Sequence, residues 1–217
     1  MNDLTPPLRR TRKPQKRAEA TKRRLMDAAI KGFSALGYDG TTVVGLEQAA
    51  GVQRGVLAYH FGSKDALWRQ AIDRLFARME HDIQAVARAA RALPDFDPLE
   101  VTVGGFVRFS AEVPELQRMI FHQSQHGGPR MEYLTDRHIK RVLKLLEGPM
   151  GHAMSAHDYY IYIGAVTAPF ASPYEAKGVW NADQYTDEFL RTHTRLVADI
   201  LRGMRRNAQA PWNSGPD

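Results

Sequence analysis

The 217-residue chain contains no cysteine. Disulfide staples, thiolate catalysis and cysteine-built zinc sites are therefore excluded, and the absence fits a reducing compartment. Long apolar runs are missing too. The longest, residues 161–171, falls well short of the ~20 residues that span a bilayer. The N-terminus is basic, but no apolar stretch follows it, so it does not read as a signal peptide. A soluble, cytoplasmic protein without a membrane partner is expected. No segment alternates apolar and polar residues as a half-buried strand does, and no repeat is visible. The catalytic signatures G-x-S-x-G, H-E-x-x-H and G-x-x-x-x-G-K-[ST] are absent. Ser155, His157 and Asp158 supply the letters of a hydrolase triad, but neighbours on one helix point in different directions. His122 and His126 have the i, i+4 spacing of metal ligands, yet no third ligand lies close in sequence. The expectation is no enzyme, no metal and no cofactor.

Charge is present but unevenly spread. Residues 1–24 hold nine Arg or Lys against Asp3 and Glu19, a surplus of seven. The rest holds 21 basic residues against 22 acidic, a balance of −1, so the formal +6 is a local arm. Such an arm either adds phosphate or minor-groove contacts to a nucleic-acid site or is a solvated tail. Hydrophobic content is 43%, ordinary for a globular protein with one or two domains.

Helical periodicity accounts for most of the chain. Residues 1–15 read as a disordered basic arm, with Pro6, Pro7 and Pro14 among the charges. A first helix is predicted over 16–36, with Leu25, Ala28, Ala29, Phe33 and Leu36 at three- and four-residue steps. Short helices follow at 43–50 and 54–60. Ser63 then caps a long helix to about residue 91, with Asp65 in its first turn. Further helices are predicted at 99–112, 115–125, 131–147, 156–171 and 184–203, separated by Pro114, Gly127-Gly128-Pro129, Gly148-Pro149 and Pro173. Ser155 and Asp158 have capping-box spacing. The fold class is all-α with about nine helices. An N-terminal domain at 16–62 and a second helical domain at 63–208 are expected, with a disordered tail from 209.

Residues 41–64 read TTVVGLEQAAGVQRGVLAYHFGSK. Thr42 can cap a helix that Gly51 stops, since glycine takes a left-handed conformation without a Cβ penalty. Val52 plugs the turn, and a second short helix carries basic, polar and aromatic side chains. This is the layout of a DNA-binding helix-turn-helix. The stretch from about Arg24 to Ala71 resembles the TetR/AcrR family of bacterial transcriptional regulators. The matching residues are Ala28, Ala29, Phe33, Gly37, Tyr38, Thr41, Thr42, Leu46, Ala50, Gly51, Val52, Gly55, Leu57, His60, Phe61, Lys64 and Leu67. Two positions depart from the pattern. Glu47 replaces a small residue that packs against the neighbouring helix, which is harmless if its stem lies along the surface with the carboxylate in water. Ala58 replaces a tyrosine that contacts phosphate, which implies one backbone contact fewer.

Candidate DNA contacts follow from both readings. Thr41 and Thr42 can offer hydroxyls and amides to a phosphate, or simply cap the helix. Arg54, read as the start of the recognition helix, suits guanine O6/N7. Gln53 can read a base or a phosphate, Gly55 permits close backbone approach, and Val56 can touch a thymine methyl. The resemblance implies that Tyr59, His60 and Lys64 meet the DNA backbone. Leu57 and Phe61 are expected in the core.

For the second half, the resemblance implies a small-molecule effector site and a homodimer built from the last two long helices. The apolar residues Tyr159, Ile163, Val166, Phe170, Phe189, Leu196 and Ile200 are the candidate dimer face, or else pack within the protomer. Phe106, Phe109, Met119, Phe121, His122, Tyr160 and Tyr162 are candidate pocket linings, favouring a mostly apolar or aromatic ligand. The function these readings imply is a ligand-responsive repressor that binds a palindromic, double-stranded operator as a dimer. Alternatives are an activator, a regulator without ligand, or a non-specific nucleoid-type DNA coat.

Overall fold

The computed structural model describes residues 12–91, 95 and 97–208. Most of the predicted basic arm and the predicted tail from Gln209 lie outside these residues. All described secondary structure is helical: α1 (Arg12–Gly40), α2 (Val43–Ala49), α3 (Val56–Phe61), α4 (Lys64–Ala90), α5 (Pro98–Glu112), α6 (Pro114–Ser124), α7 (Gly128–Leu134), α8 (Lys140–Met150), α9 (Ala156–Ala171), α10 (Pro173–Trp180) and α11 (Asp187–Ala208). A π-helical turn, Thr135–Ile139, joins α7 to α8 without a break. Counted as one run, these three make ten helices among the described residues. The helix not foreseen is α10. Pro173 looks like a terminator in sequence, but it occupies the first turn of α10, where a missing N–H costs nothing. α1 begins at Arg12 rather than near Lys16, with Pro14 likewise in a first turn.

The chain separates into two compact units between Ala71 and Ile72. In the first, Leu25, Ala29 and Phe33 of α1 bury against Leu46, Ala50, Leu57 and Phe61, with Leu67 and Trp68 completing the core. Each large side chain buried this way contributes roughly 1.5–3 kcal/mol. Phe33 stacks on Tyr38 at 5.9 Å, and Tyr38 meets Trp68 edge-on at 6.4 Å. α1 and α2 pack closely, since a Cβ on Gly32 would stand 3.1 Å from the Leu46 side chain.

In the second unit α5 packs against α6, α8, α9 and α11. Val103, Phe106, Val107 and Phe109 supply its buried face. Arg202 of α11 ties down the start of α5 through Asp97 and Glu100. Burial alone would raise the Asp97 carboxyl; Arg202 and the amides of Leu99 and Glu100 hold it below the ordinary carboxylate value. Ser155 and Asp158 form the capping box at the start of α9. Arg118 donates to the carbonyls of Phe170 and Ala171 at its end.

Among the described residues one core group is uncompensated. Tyr162 is fully buried against Phe106, with ring centroids 5.5 Å apart, and its hydroxyl has no hydrogen-bond partner. A buried unpaired hydroxyl costs about 1–3 kcal/mol. Tyr162→Phe is therefore expected to raise the thermal midpoint. A lowered midpoint in a melting experiment would show that the hydroxyl has a partner after all.

Candidate nucleic-acid interface and effector cavity

The first unit presents α2, a turn and α3. Thr42 caps α2, its Oγ1 accepting from the Gly45 amide at 3.0 Å. Gly51, at φ 62°, ends α2, and Val52 N–H donates back to the Glu47 carbonyl at 3.0 Å. Gln53 and Arg54 are exposed. Arg54 stands in the turn, two residues before α3, rather than inside the helix as the sequence reading had it. The reason is Gly55, whose φ of 86° is left-handed and not helical. Tyr59 projects into solvent at 85% exposure and meets His60 edge-on. Val56 and His60 are half-buried, and Ala58 is exposed. Gln53, Arg54, Gly55 and Tyr59 thus form one accessible edge. Leu57 and Phe61, on the other side of α3, are core.

Two expected contact residues have other tasks. Thr41 is buried, and its hydroxyl donates to the Gly37 carbonyl at 2.7 Å, so it secures the end of α1. Lys64 donates to the carbonyls of Tyr38 (3.0 Å) and Thr41 (2.9 Å) and lies 4.1 Å from the Tyr38 ring centroid. Two of its three ammonium donors are therefore committed inside the unit.

Glu47 does not meet the condition of a stem along the surface. Its side chain is only 3% exposed, and Oε1 accepts from the Leu57 amide at 2.9 Å. The carboxylate lies under α3, not in water. The sequence offered one faint signal, a departure from the family pattern eight residues before Gly55.

In the second unit a cavity of about 50 Å³ lies among α4, α5, α6, α9 and the π turn. Phe106 and Phe109 line it as expected, joined by Phe76, Met79, Ile120, Ile139 and Tyr159. None of the wall residues carries a charge; Ser110, Gln117, Tyr159 and Thr167 are its polar positions. Burial pushes the Tyr159 hydroxyl up from its usual value, so it is a neutral donor. The other expected linings are elsewhere. Phe121 and Tyr160 face solvent, His122 is half-buried off the wall, and Met119 and Tyr162 are core. The cause is helical rotation of ~100° per residue: Leu116, Gln117 and Ile120 turn α6 towards the cavity, which swings Phe121 and His122 away.

Beside this cavity a cluster escaped sequence reading. Asp73 Oδ1 accepts from the Tyr133 hydroxyl at 2.6 Å and from His138 Nε2 at 2.8 Å, with Arg137 at 3.4 Å. His138 stacks on Phe76 at 4.3 Å. Burial lowers the His138 pKa from 6.5, against the opposing pull of Asp73 and Glu80 and with a small push from Arg137. In the unfolded chain the imidazole takes its proton near 6.5, before the folded one does. Stability contributed by His138 is then full above that value and is lost as pH falls through and below it. His138→Gln is expected to flatten the drop in urea midpoint between about pH 7.5 and 5.5. An unchanged drop would place the acid sensitivity in other groups.

Residues 25–71 match the family described as "Bacterial regulatory proteins, tetR family". That segment, within the first unit, is a TetR-type DNA-binding segment. Over 81 residues it is 38% identical to the HTH-type transcriptional repressor Rv1474c of Mycobacterium tuberculosis, covering 35% of this chain and 43% of that protein. Over 134 residues it is 31% identical to the HTH-type transcriptional regulator RutR of Escherichia coli K12, covering 58% of each. The alignments thus span roughly half the length of these relatives or less. The fold extends further: a TetR-like transcriptional regulator from Rhodococcus sp. RHA1 superposes with a TM-score of 0.57, 18% identity, and coverage of 88% of this chain and 97% of that one.

The candidate dimer residues divide four ways. Val166 and Phe170 are enclosed in the protomer core, and Tyr159 and Ile163 wall the cavity. Phe189 is half-buried and stacks on His193. Only Leu196 and Ile200 face solvent, at 58% and 50% exposure. The outer face of α9 is instead Tyr160 and Ile161, at 71% and 46%. α9 is apolar all round, so an apolar stripe could not by itself tell the inner face from the outer. Ser155 and His152 both approach Asp158, His152 at 3.5 Å, so in this group the carboxylate and not the imidazole is central. Among the described residues no cluster of metal-ligating side chains occurs and no helix is long and apolar enough to cross a membrane.

Proposed function

We propose that the protein is a transcriptional repressor that binds a pseudo-palindromic operator as a homodimer and is released by a small, uncharged, mostly apolar molecule. The observation that carries the reading is the exposed edge Gln53–Arg54–Gly55–Tyr59 on a helix-turn-helix of TetR type. Arg54 suits a base edge, while Thr42, Tyr59 and His60 suit phosphates. Lys64 has one donor left for a phosphate after its two carbonyl bonds. The sign of regulation is taken from the mycobacterial relative, a transcriptional repressor.

The dimer would use the outer face of α9 and the exposed side of α11, two helices that pack on each other. A helix apolar on every side is a helix covered on every side, and Tyr160 and Ile161 have no cover within one protomer. Two recognition helices spaced ~34–36 Å apart then read successive major-groove faces.

An uncharged cavity wall favours an uncharged effector, since a charge moved there would lose its hydration without a partner. A cavity of about 50 Å³ is far below the ~300–1,000 Å³ of small-molecule sites. The effector would therefore bind an expanded state in which the walls have moved. Two of those walls, Phe76 and Met79, belong to α4, which begins at Lys64. Expansion would displace α4 and weaken operator binding; a coupling of ~1–3 kcal/mol makes a useful switch.

The test is selection of bound sequences from a random DNA pool at physiological salt. A pseudo-palindrome with half-sites about one helical turn apart is expected. A pool that stays random would remove this reading and favour a non-specific coat.

A further inference from the structure

The start of α3 lacks a cap of its own. Gly55, at the N-cap position, has no side chain to accept from the first amides. The Val56 amide reaches the Gln53 carbonyl at 3.3 Å. The next amide, Leu57, would be buried without a partner but for Glu47, whose Oε1 accepts it at 2.9 Å. The backbone carbonyl of the same Glu47 accepts from Val52 at 3.0 Å. One residue near the end of α2 thus clasps both the turn and the first turn of α3.

We infer that Glu47 is the positioning residue of the recognition helix: it fixes where α3 begins and hence where Arg54 and Tyr59 point. The inference rests on the proposed reading of that edge as the DNA-facing surface. The physical argument is one of tolerance. Base contacts form only over ~2.7–3.2 Å, while a helix start that slips by one residue rotates every side chain by ~100°. With α3 only six residues long, its own backbone bonds are too few to resist such a slip. A side-chain oxygen from a neighbouring helix removes that freedom. Because Glu47 is 3% exposed, it does so from beneath, without presenting a carboxylate to phosphates.

The test uses three variants of the full chain. Glu47→Gln keeps an oxygen at the same reach, Glu47→Ala removes it, and Glu47→Met removes it while filling the space. The first readout needs no DNA: exchange of the Leu57 amide with solvent. Gln should protect it as the wild type does; Ala and Met should lose about tenfold or more of that protection while the rest of the unit keeps its own. The second readout is the ratio of affinity for the selected site to affinity for random DNA. That ratio should fall roughly 10- to 100-fold in Ala and Met and be retained in Gln, with random-DNA affinity nearly unchanged. A merely structural role would lower both affinities together and leave the ratio intact. Leu57 protection that survives in Ala and Met overturns the clasp. Lost protection with an unchanged ratio overturns the positioning role. A wild type that prefers no site sinks the regulator reading and the DNA-facing role with it, while Leu57 exchange still decides whether the clasp exists.

Discussion

Replacing Leu196 and Ile200 together by glutamate is expected to turn the proposed dimer into a folded monomer. Both side chains are at least half exposed in the protomer, so the exchange removes little internal packing, and surface changes of this kind usually stay within about 0.5 kcal/mol. In the proposed dimer the same positions are covered, and each glutamate would be buried without a partner. That cost, several kcal/mol per desolvated charge, exceeds what most interfaces can offset. Sedimentation should report the mass of one 24.5 kDa chain in place of two. Operator affinity should fall by about 10²- to 10⁴-fold, because a monomer holds one half-site and loses the effective concentration of the second. A variant that stays dimeric would place the interface away from α11.

Arg54→Ala is expected to relax sequence preference at the base pair it reads without touching the fold. Arg54 is exposed and sits in the turn before α3, so its loss opens no cavity. A bidentate arginine–guanine contact is worth ~1–3 kcal/mol of discrimination, which corresponds to a loss of roughly 5- to 150-fold per half-site. The relaxation should fall on one base pair in each half-site, with the melting temperature of the protein unchanged. Uniform weakening on every sequence would instead make Arg54 a phosphate contact. Equal binding and equal preference in the variant would remove Arg54 from the interface.

Where sequence reading succeeded and failed follows the range of the forces involved. Gly51, the Ser155–Asp158 capping box and the stripe Leu25–Ala29–Phe33 act within a turn or two of the chain, and all three are where the spacing put them. Pro173 misled because proline ends one helix and begins another equally well, and only the neighbouring backbone decides which. Helical spacing alone puts Arg54 at the start of α3, because nothing in its own identity reveals that Gly55 adopts a left-handed conformation.

The second unit was harder to read for a different reason. α9 is apolar on all sides, so the sequence names its apolar residues but not their destinations. Tyr159 and Ile163 went to the cavity, Val166 and Phe170 to the core, and Tyr160 and Ile161 to the surface. The Asp73–Tyr133–His138 cluster joins residues some sixty positions apart, and no local pattern encodes such a meeting.

From sequence alone the all-α class, the helix-turn-helix, its family and the core role of Leu57 and Phe61 were determined, because each depends on periodicity, capping and turn chemistry between near neighbours. Tertiary structure alone decided that Glu47 lies under the recognition helix, that Thr41 and Lys64 serve the end of α1, and which face of α9 is outermost. Those outcomes depend on which groups meet across helices, where a single buried amide in need of an acceptor can outweigh the ordinary preference of a carboxylate for water.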